Sequence, residues 1–227
     1  METSKLLKQL TEAQGPSGYE TEIGEIVQER FGQYADETRT DALGNVIALK
    51  RGDGPKPRPT VMLAGHMDEI ALMVKKLEKG FLHLAQVGGF DPRVLLAQQV
   101  VVHGRRDLPG VIVSVPPHFT EPAERDKTVP LDKLYVDVGL PPEQVNELVR
   151  VGDLITIHRP FTELSGGWAS SKAMDNRTSV AAIAICLEEL TRLKHSYARS
   201  IQISREGIPT GLLGIPLRYM HTAIETV

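Results

Sequence analysis

The chain has 227 residues, with 26 Lys and Arg against 29 Asp and Glu and a formal net charge of −3. That length sustains one large domain or two smaller ones without cross-links, and the acidic balance is the opposite of the basic excess of a nucleic-acid binder. A single cysteine, Cys186, excludes an intramolecular disulfide framework. No apolar run approaches the ~18 residues that span a bilayer, so a cytoplasmic protein with neither membrane nor nucleic-acid partners is expected.

Residues 3–13 pattern as a short amphipathic helix and not as an apolar signal segment, and Gln14-Gly15-Pro16 ends it. Ser17 follows as a cap candidate for a helix from about Glu20 to Phe31, with Ile23, Ile26, Val27 and Phe31 on one face. Strands are expected over 37–40 and 45–50, around a turn at Asp41-Ala-Leu-Gly44. Gly52 to Pro59 is a loop by composition. Thr60 to Gly65 reads as a nearly continuous apolar strand of the kind buried on both faces of a sheet.

From about residue 73 the texture changes. Six short β-like segments (73–76, 81–86, 99–102, 110–115, 134–138 and 154–157) are punctuated by Gly, Pro and Asp, the pattern of a small barrel or sandwich. A short helix is expected from Pro141 to about Leu148. After Gly166-Gly167 a long helix runs from Asp175 to about Leu193, with Val180, Ile183, Ala184, Leu187 and Leu190 as its inward stripe and Cys186 as a buried, inert thiol. The tail, Gly207 to Thr222, reads turn–strand–turn. The expected fold class is α/β: an α/β domain from 1–72 and 163–227, interrupted by a β-rich unit at 73–162.

Three stretches carry candidate chemistry. In Ala64-Gly-His-Met-Asp-Glu-Ile70, His66 and Asp68 lie two apart at the mouth of a strand and so face one way. An imidazole beside a carboxylate is a usual metal ligand with its orienting partner, and a polar loop after a buried strand is the plain alternative. In Ser171-Lys-Ala-Met-Asp175-Asn-Arg-Thr, Asp175 stands at the start of the long helix, either as its N-cap or as a fixed carboxylate open to a cation. In Leu217-Arg-Tyr-Met-His221-Thr, a His again lands where an apolar segment runs out. His83, His103, His118, His158 and His195 lie in the insert or on an exposed helix end and are given no role.

AGHMDEI, SKAMDNRTS and GIPLRYMHT together resemble three signature stretches of the tetrahedral-assembly (TET) and glutamyl aminopeptidases, which are dinuclear metal exopeptidases. Gly15-Pro-Ser-Gly-Tyr, Asp41-Ala-Leu-Gly-Asn, Gly88-Gly-Phe-Asp-Pro and Val151-Gly-Asp support the match, in the right order along essentially the whole chain. The resemblance implies a zinc-peptidase-like catalytic domain with residues 73–162 as a dimerisation domain. It implies that His66 binds one divalent ion, Asp175 bridges two, His221 binds the other and Asp68 orients His66. The ions would be zinc, cobalt or manganese, polarising the scissile carbonyl and supplying a bound hydroxide. It also implies a cis peptide at Asp175–Asn176, peptide substrates trimmed from the N-terminus, and homo-oligomers from dimer to dodecamer.

The same resemblance implies three further carboxylates: a Glu-Glu pair, the first acting as general base, and a later Asp. They would lie on a segment of roughly a hundred residues that is absent here, because Leu193-Lys-His-Ser-Tyr-Ala-Arg199 passes straight to Ser200-Ile-Gln-Ile. The general-base Glu is thus absent from this sequence. Glu189 does not replace it: at ~1.5 Å per helical residue it stands about 20 Å from Asp175. Glu69 is expected to point away because Asp68 takes the inward direction, and neither Glu206 nor Glu225 is expected to aim inward. Ala71 stands where the family usually has Gly. The readings left open are a metal-dependent aminopeptidase lacking an internal segment, a catalytically impaired assembly subunit, and a binding module built on the β-rich insert. The ordered ligand motifs disfavour the last.

Overall fold

The structure is a computed structural model, and it describes residues 3–57, 60–119, 127–193, 198–200, 215–222 and 224–227. Helix α1 (Thr3–Glu12) buries Leu6, Leu7 and Leu10, and α2 (Thr21–Gly32) buries Ile23, Val27 and Phe31, a spacing of four that keeps one face inward. They lead into a hairpin of β1 (Glu37–Thr40) and β2 (Val46–Lys50), turned at Asp41–Gly44, where the Asp41 carboxylate accepts the main-chain N–H groups of Leu43 and Asn45 at 2.9 Å. The next strand, β3 (Thr60–Val61), is short.

The chain then enters a closed barrel made of β4 (Ala71–Glu78), β5 (Phe81–Val87), β6 (Gln99–His103), β7 (Asp107–Ser114), β8 (Leu134–Asp137) and β9 (Leu154–Ile157), with α3 (Pro142–Leu148) between the last two. Each strand overlaps one of the six short segments read from the sequence. The order around the barrel is β4-β5-β8-β7-β6-β9; β9 pairs with both β4 and β6, and that closure makes it a barrel and not a sandwich. Its interior is filled by Leu72, Val74, Leu82, Val100, Val102, Ile112, Val136 and Ile155, all essentially without solvent contact. Alternation along β7 buries Leu108, Gly110 and Ile112 and exposes the residues between, as a period of two requires.

Beyond the barrel, β10 (Thr162–Leu164) and β11 (Trp168–Ser171) form an antiparallel pair leading to α4 (Met174–Arg192). Val180, Ile183, Ala184 and Leu187 of α4 join α1, α2 and Ala48 of β2 in a second core. β12 (Ala198–Ser200) enters the first sheet between β2 and β3, antiparallel to one and parallel to the other. Finally β13 (Glu225–Thr226) adds to β11. No helix among the described residues is long and apolar enough to cross a membrane.

Several expectations are corrected. Thr60 to Gly65 is not a doubly buried strand: only Thr60 and Val61 are in strand pairing, and Val61, Met62, Ala64 and Gly65 are exposed. Among the described residues β3 is paired on one side only, with β12. Ser17 does not cap α2, whose N-cap is Glu20 without a side-chain hydrogen bond. Cys186 is half-buried instead of buried. In the tail, 207–214 and His195 lie outside the described residues, and 215–217 carry no strand.

Candidate metal centre

After β3 the chain crosses the N-terminal half of α4 closely. A Cβ at Gly65 would stand 3.1 Å from the Ser179 Cβ, so a larger residue here would push His66 away from the helix. Two residues on, the Asp68 carboxylate meets His66 Nδ1 at 2.9 Å through Oδ1 and accepts the Ser17 hydroxyl through Oδ2. Ser17 reaches it because the Pro16-Ser17 turn runs beside Glu69: Glu69 N–H donates to Gly15 O at 2.9 Å, and Ser17 N–H to Glu69 O at 3.3 Å. Burial pushes the Asp68 carboxyl up, but the hydrogen bonds from Ser17 and His66 outweigh it and hold Asp68 below the ordinary carboxylate range. Removing the Ser17 hydroxyl takes away one of these donors and frees Asp68 to turn. Ser17→Ala should therefore weaken any zinc binding at His66 about tenfold, the lower end for groups that orient a histidine ligand. A chelator-competition titration of purified protein checks this, and wild-type affinity would remove Ser17 from the site.

Asp175 lies in the first turn of α4 but outside helical geometry, with φ −85° and ψ 99°, and its bond to Asn176 is cis. It is not the cap: Ala173 holds that position. Asp175 Oδ1 lies 3.2 Å from His66 Nε2, and Oδ2 lies 3.4 Å from His221 Nε2. One carboxylate thus faces an imidazole on each side. His221 comes from an exposed turn, residues 219–222, that Thr222 closes by donating its hydroxyl to Tyr219 O at 2.7 Å. These three side chains line a small cavity of about 60 Å³, together with Asp68, Phe90 and Glu225. A larger cleft of about 260 Å³ opens on the other side of His66 and Asp68, against Val27, Phe31, Val180 and Ile183.

The donor set fits divalent cations. With Nδ1 facing Asp68, His66 turns Nε2 toward an Asp175 oxygen, an arrangement satisfied by a shared cation or by a proton between the two. The 3.2 and 3.4 Å separations fall within the range of an imidazolium–carboxylate ion pair. Ligand atoms on one tetrahedral ion with ~2.0–2.1 Å bonds lie about 3.3–3.4 Å apart, and both distances are close to that edge. Among the described residues no group of three or more His, Cys, Asp or Glu side chains is arranged to hold a single ion. The geometry is one carboxylate set between two imidazoles.

Two features escaped the sequence reading. Glu225 does aim inward: it is buried, and its carboxylate accepts the main-chain N–H groups of Asp175 and His221. Burial raises its carboxyl above the usual range despite those two donors. Its position four residues after His221 was the available signal. The second is a buried ion cluster behind the site. Glu69 points away from the imidazoles as expected, but toward Lys172, whose Nζ donates to both carboxylate oxygens at 2.7 Å, and toward Arg177, 3.6 Å away. Lys172 also donates to Ala13 O, and Arg177 to the main-chain oxygens of Leu10, Ala13 and Met67. Gly15 is required beside them: a Cβ there would lie 2.4 Å from Ile23 Cγ2 and 2.9 Å from Arg177 Nη2. Of the other described histidines, His83 meets Glu78, His103 sits between Asp107 and buried Thr156, and His118 packs on Phe119. Glu188, at the far end of α4, pairs with Arg192.

Known proteins share this arrangement of elements. Residues 44–198 match the family model described as M42 glutamyl aminopeptidase. The lysyl aminopeptidase of Pyrococcus furiosus is 34% identical over 192 residues, covering 82% of this chain and 54% of that protein. The crystal structure of a TET aminopeptidase from a marine-sediment Thaumarchaeota archaeon superposes with a TM-score of 0.81 at 34% identity, over 88% of this chain and 57% of that one. The TET1 peptidase of Pyrococcus horikoshii, described as assembling into a tetrahedron or a large octahedral shell, gives 0.75 at 31% identity, over 88% and 60%. The chain spans about half the length of the curated relatives it matches. With a family match over most of its length and the α/β fold of the TET aminopeptidases, this chain belongs to the M42 glutamyl aminopeptidase family.

Proposed function

We propose that the chain forms part of a metal-dependent aminopeptidase that removes N-terminal residues from peptides, with His66, Asp175 and His221 as ligands to two divalent ions and Asp68 as the group that orients His66. The observation that carries this is the Asp175 carboxylate set between two imidazole nitrogens at 3.2 and 3.4 Å. Zinc, cobalt and manganese all suit such a mixed nitrogen and oxygen donor set. When bound, the ions supply polarisation of the scissile carbonyl and acidification of water. The residues themselves do the positioning: Ser17 and Asp68 fix the tautomer of His66, and Asp175 holds the two half-sites at one separation. The 260 Å³ cleft beside His66, walled by Phe31 and Val180, offers an apolar seat for a substrate side chain. The barrel is the unit we assign to self-association, on the analogy of a relative that assembles into closed shells, and a cytoplasmic site of action agrees with peptide trimming.

A second reading rests on the ligand count. Among the described residues each ion would receive one His and a share of Asp175, below the three protein ligands of ordinary catalytic zinc sites. No carboxylate among the described residues stands free beside the pair as a general base, a contribution worth about 10²–10⁴-fold. That favours an impaired subunit that keeps its assembly surface. Zinc stoichiometry, release of p-nitroaniline from aminoacyl p-nitroanilides and mass by light scattering, all on the same preparation, separate the two. Two ions per chain with turnover support the peptidase, and an oligomer without turnover supports the assembly subunit. A chain that holds no zinc, turns over nothing and stays monomeric removes both.

A further inference from the structure

His221 is the least anchored of the three ligands. Its side chain is 61% exposed, and its backbone sits in the left-handed region, φ +60°, which residues other than glycine adopt only when their surroundings hold them there. Among the described residues its main-chain N–H has one partner, Glu225 Oε1, at 3.0 Å. The other oxygen of the same carboxylate, Oε2, accepts the main-chain N–H of Asp175 at 2.8 Å. Glu225 is itself fixed, 3% exposed and paired across β13 and β11 with Ser171, four residues before Asp175.

We propose that Glu225 is a positioning residue: its buried carboxylate clamps the backbones of Asp175 and His221 together and so sets the spacing of the His221 half-site. This rests on the reading of both residues as metal ligands. A carboxylate suits the task because both its oxygens only accept, whereas a glutamine would offer one acceptor and turn an NH₂ group against the other N–H. With both oxygens turned to main-chain amides, Glu225 acts through the ligands and not on substrate. The His66 half-site is braced from elsewhere, by Asp68 and by Ser17 of the turn ahead of α2. Loss of the clamp therefore falls unevenly on the two halves.

The test uses the full chain and two readouts. In metal-free protein, hydrogen exchange followed by NMR should show the Asp175 and His221 amides protected in the wild type. Both should exchange at least tenfold faster in Glu225→Gln, with the α1 and barrel amides unchanged. In a chelator-competition titration with zinc alone, Glu225→Gln should weaken one of the two ions about 10- to 100-fold, the span seen for outer groups that support ligands. Adding His221→Ala should then abolish what binding remains at that same ion and leave the other ion's affinity where it was. Glu225→Asp keeps the charge but shortens the reach, so it should give the same uneven loss and covers the case in which the glutamine variant folds poorly. Unchanged exchange at both amides, or equal weakening of both ions, overturns the clamp. A wild type that binds no zinc refutes the metal reading instead, and the exchange rates still decide the clamp.

Discussion

Asp175→Asn should abolish binding of both ions, whereas His66→Ala and His221→Ala should each remove one. Among the described residues Asp175 is the carboxylate that faces both imidazoles, Oδ1 toward His66 and Oδ2 toward His221. An asparagine carries no charge and keeps one acceptor, so one half-site is left with a single imidazole facing an NH₂ group and the other loses its anion. Substituting a group that merely supports a ligand costs 10- to 100-fold in metal affinity, so removal of the shared ligand should exceed about 100-fold for both ions. Zinc competition against a chromophoric chelator reads this directly. An Asp175→Asn protein that still held two ions at wild-type affinity would remove Asp175 from the centre and dissolve the two-half-site description.

Glu69→Gln should be the most destabilising single change near the site. Among the described residues its carboxylate is the anion paired with two buried cations, Lys172 and Arg177, whose side chains are 9% and 0% exposed. Burial depresses both the Lys172 ammonium and the Arg177 guanidinium from their usual ranges, and Glu69 is the chief group opposing that shift in each. Breaking a buried pair by removing one partner costs about 3–5 kcal/mol, because the charge left behind stays unsolvated. Against a typical total of about 5–15 kcal/mol that is a large share. The urea midpoint should fall by about 1 M or more for a slope of ~2–3 kcal/mol/M. Lys172→Met in the same background should recover part of the loss, since it removes one of the stranded cations. Equal midpoints for Glu69→Gln and wild type would show that water reaches the cluster.

The sequence was most informative where one period or one motif decides the outcome. The inward stripe of α4 and the six barrel strands follow from spacing and turn residues, and the stripe and alternate strand residues are buried. His66 and Asp68 were paired on the argument that alternate strand residues face one way. They do meet, although residues 62–68 are not in regular strand pairing, because Ser17 and Glu69 hold the segment from the side. What stayed hidden depends on contacts between distant segments. Ser17 looks like a cap locally and becomes a donor to Asp68 only once the Pro16 turn lies beside Glu69. Glu225 is an unremarkable glutamate in Ala-Ile-Glu-Thr-Val until β13 pairs with β11 and turns its carboxylate toward the ligands. The exposure of Thr60 to Gly65 depends on what packs over the segment, which no property of those residues encodes.

That order also dictates a sequence of events during synthesis. β12 is wedged between β2 and β3, so the hairpin that leaves the ribosome early has no way to join the strand leading to His66 until the chain has been extended past Ala198. The barrel, by contrast, closes on itself with strands that are all complete by Ile157. Ordering a long intervening segment before a strand pair can form is slow, and near-neighbour pairing is fast. A nascent chain therefore carries a finished barrel on an unfinished support, with the aspartate and the first histidine already made and nothing yet to hold them to the second.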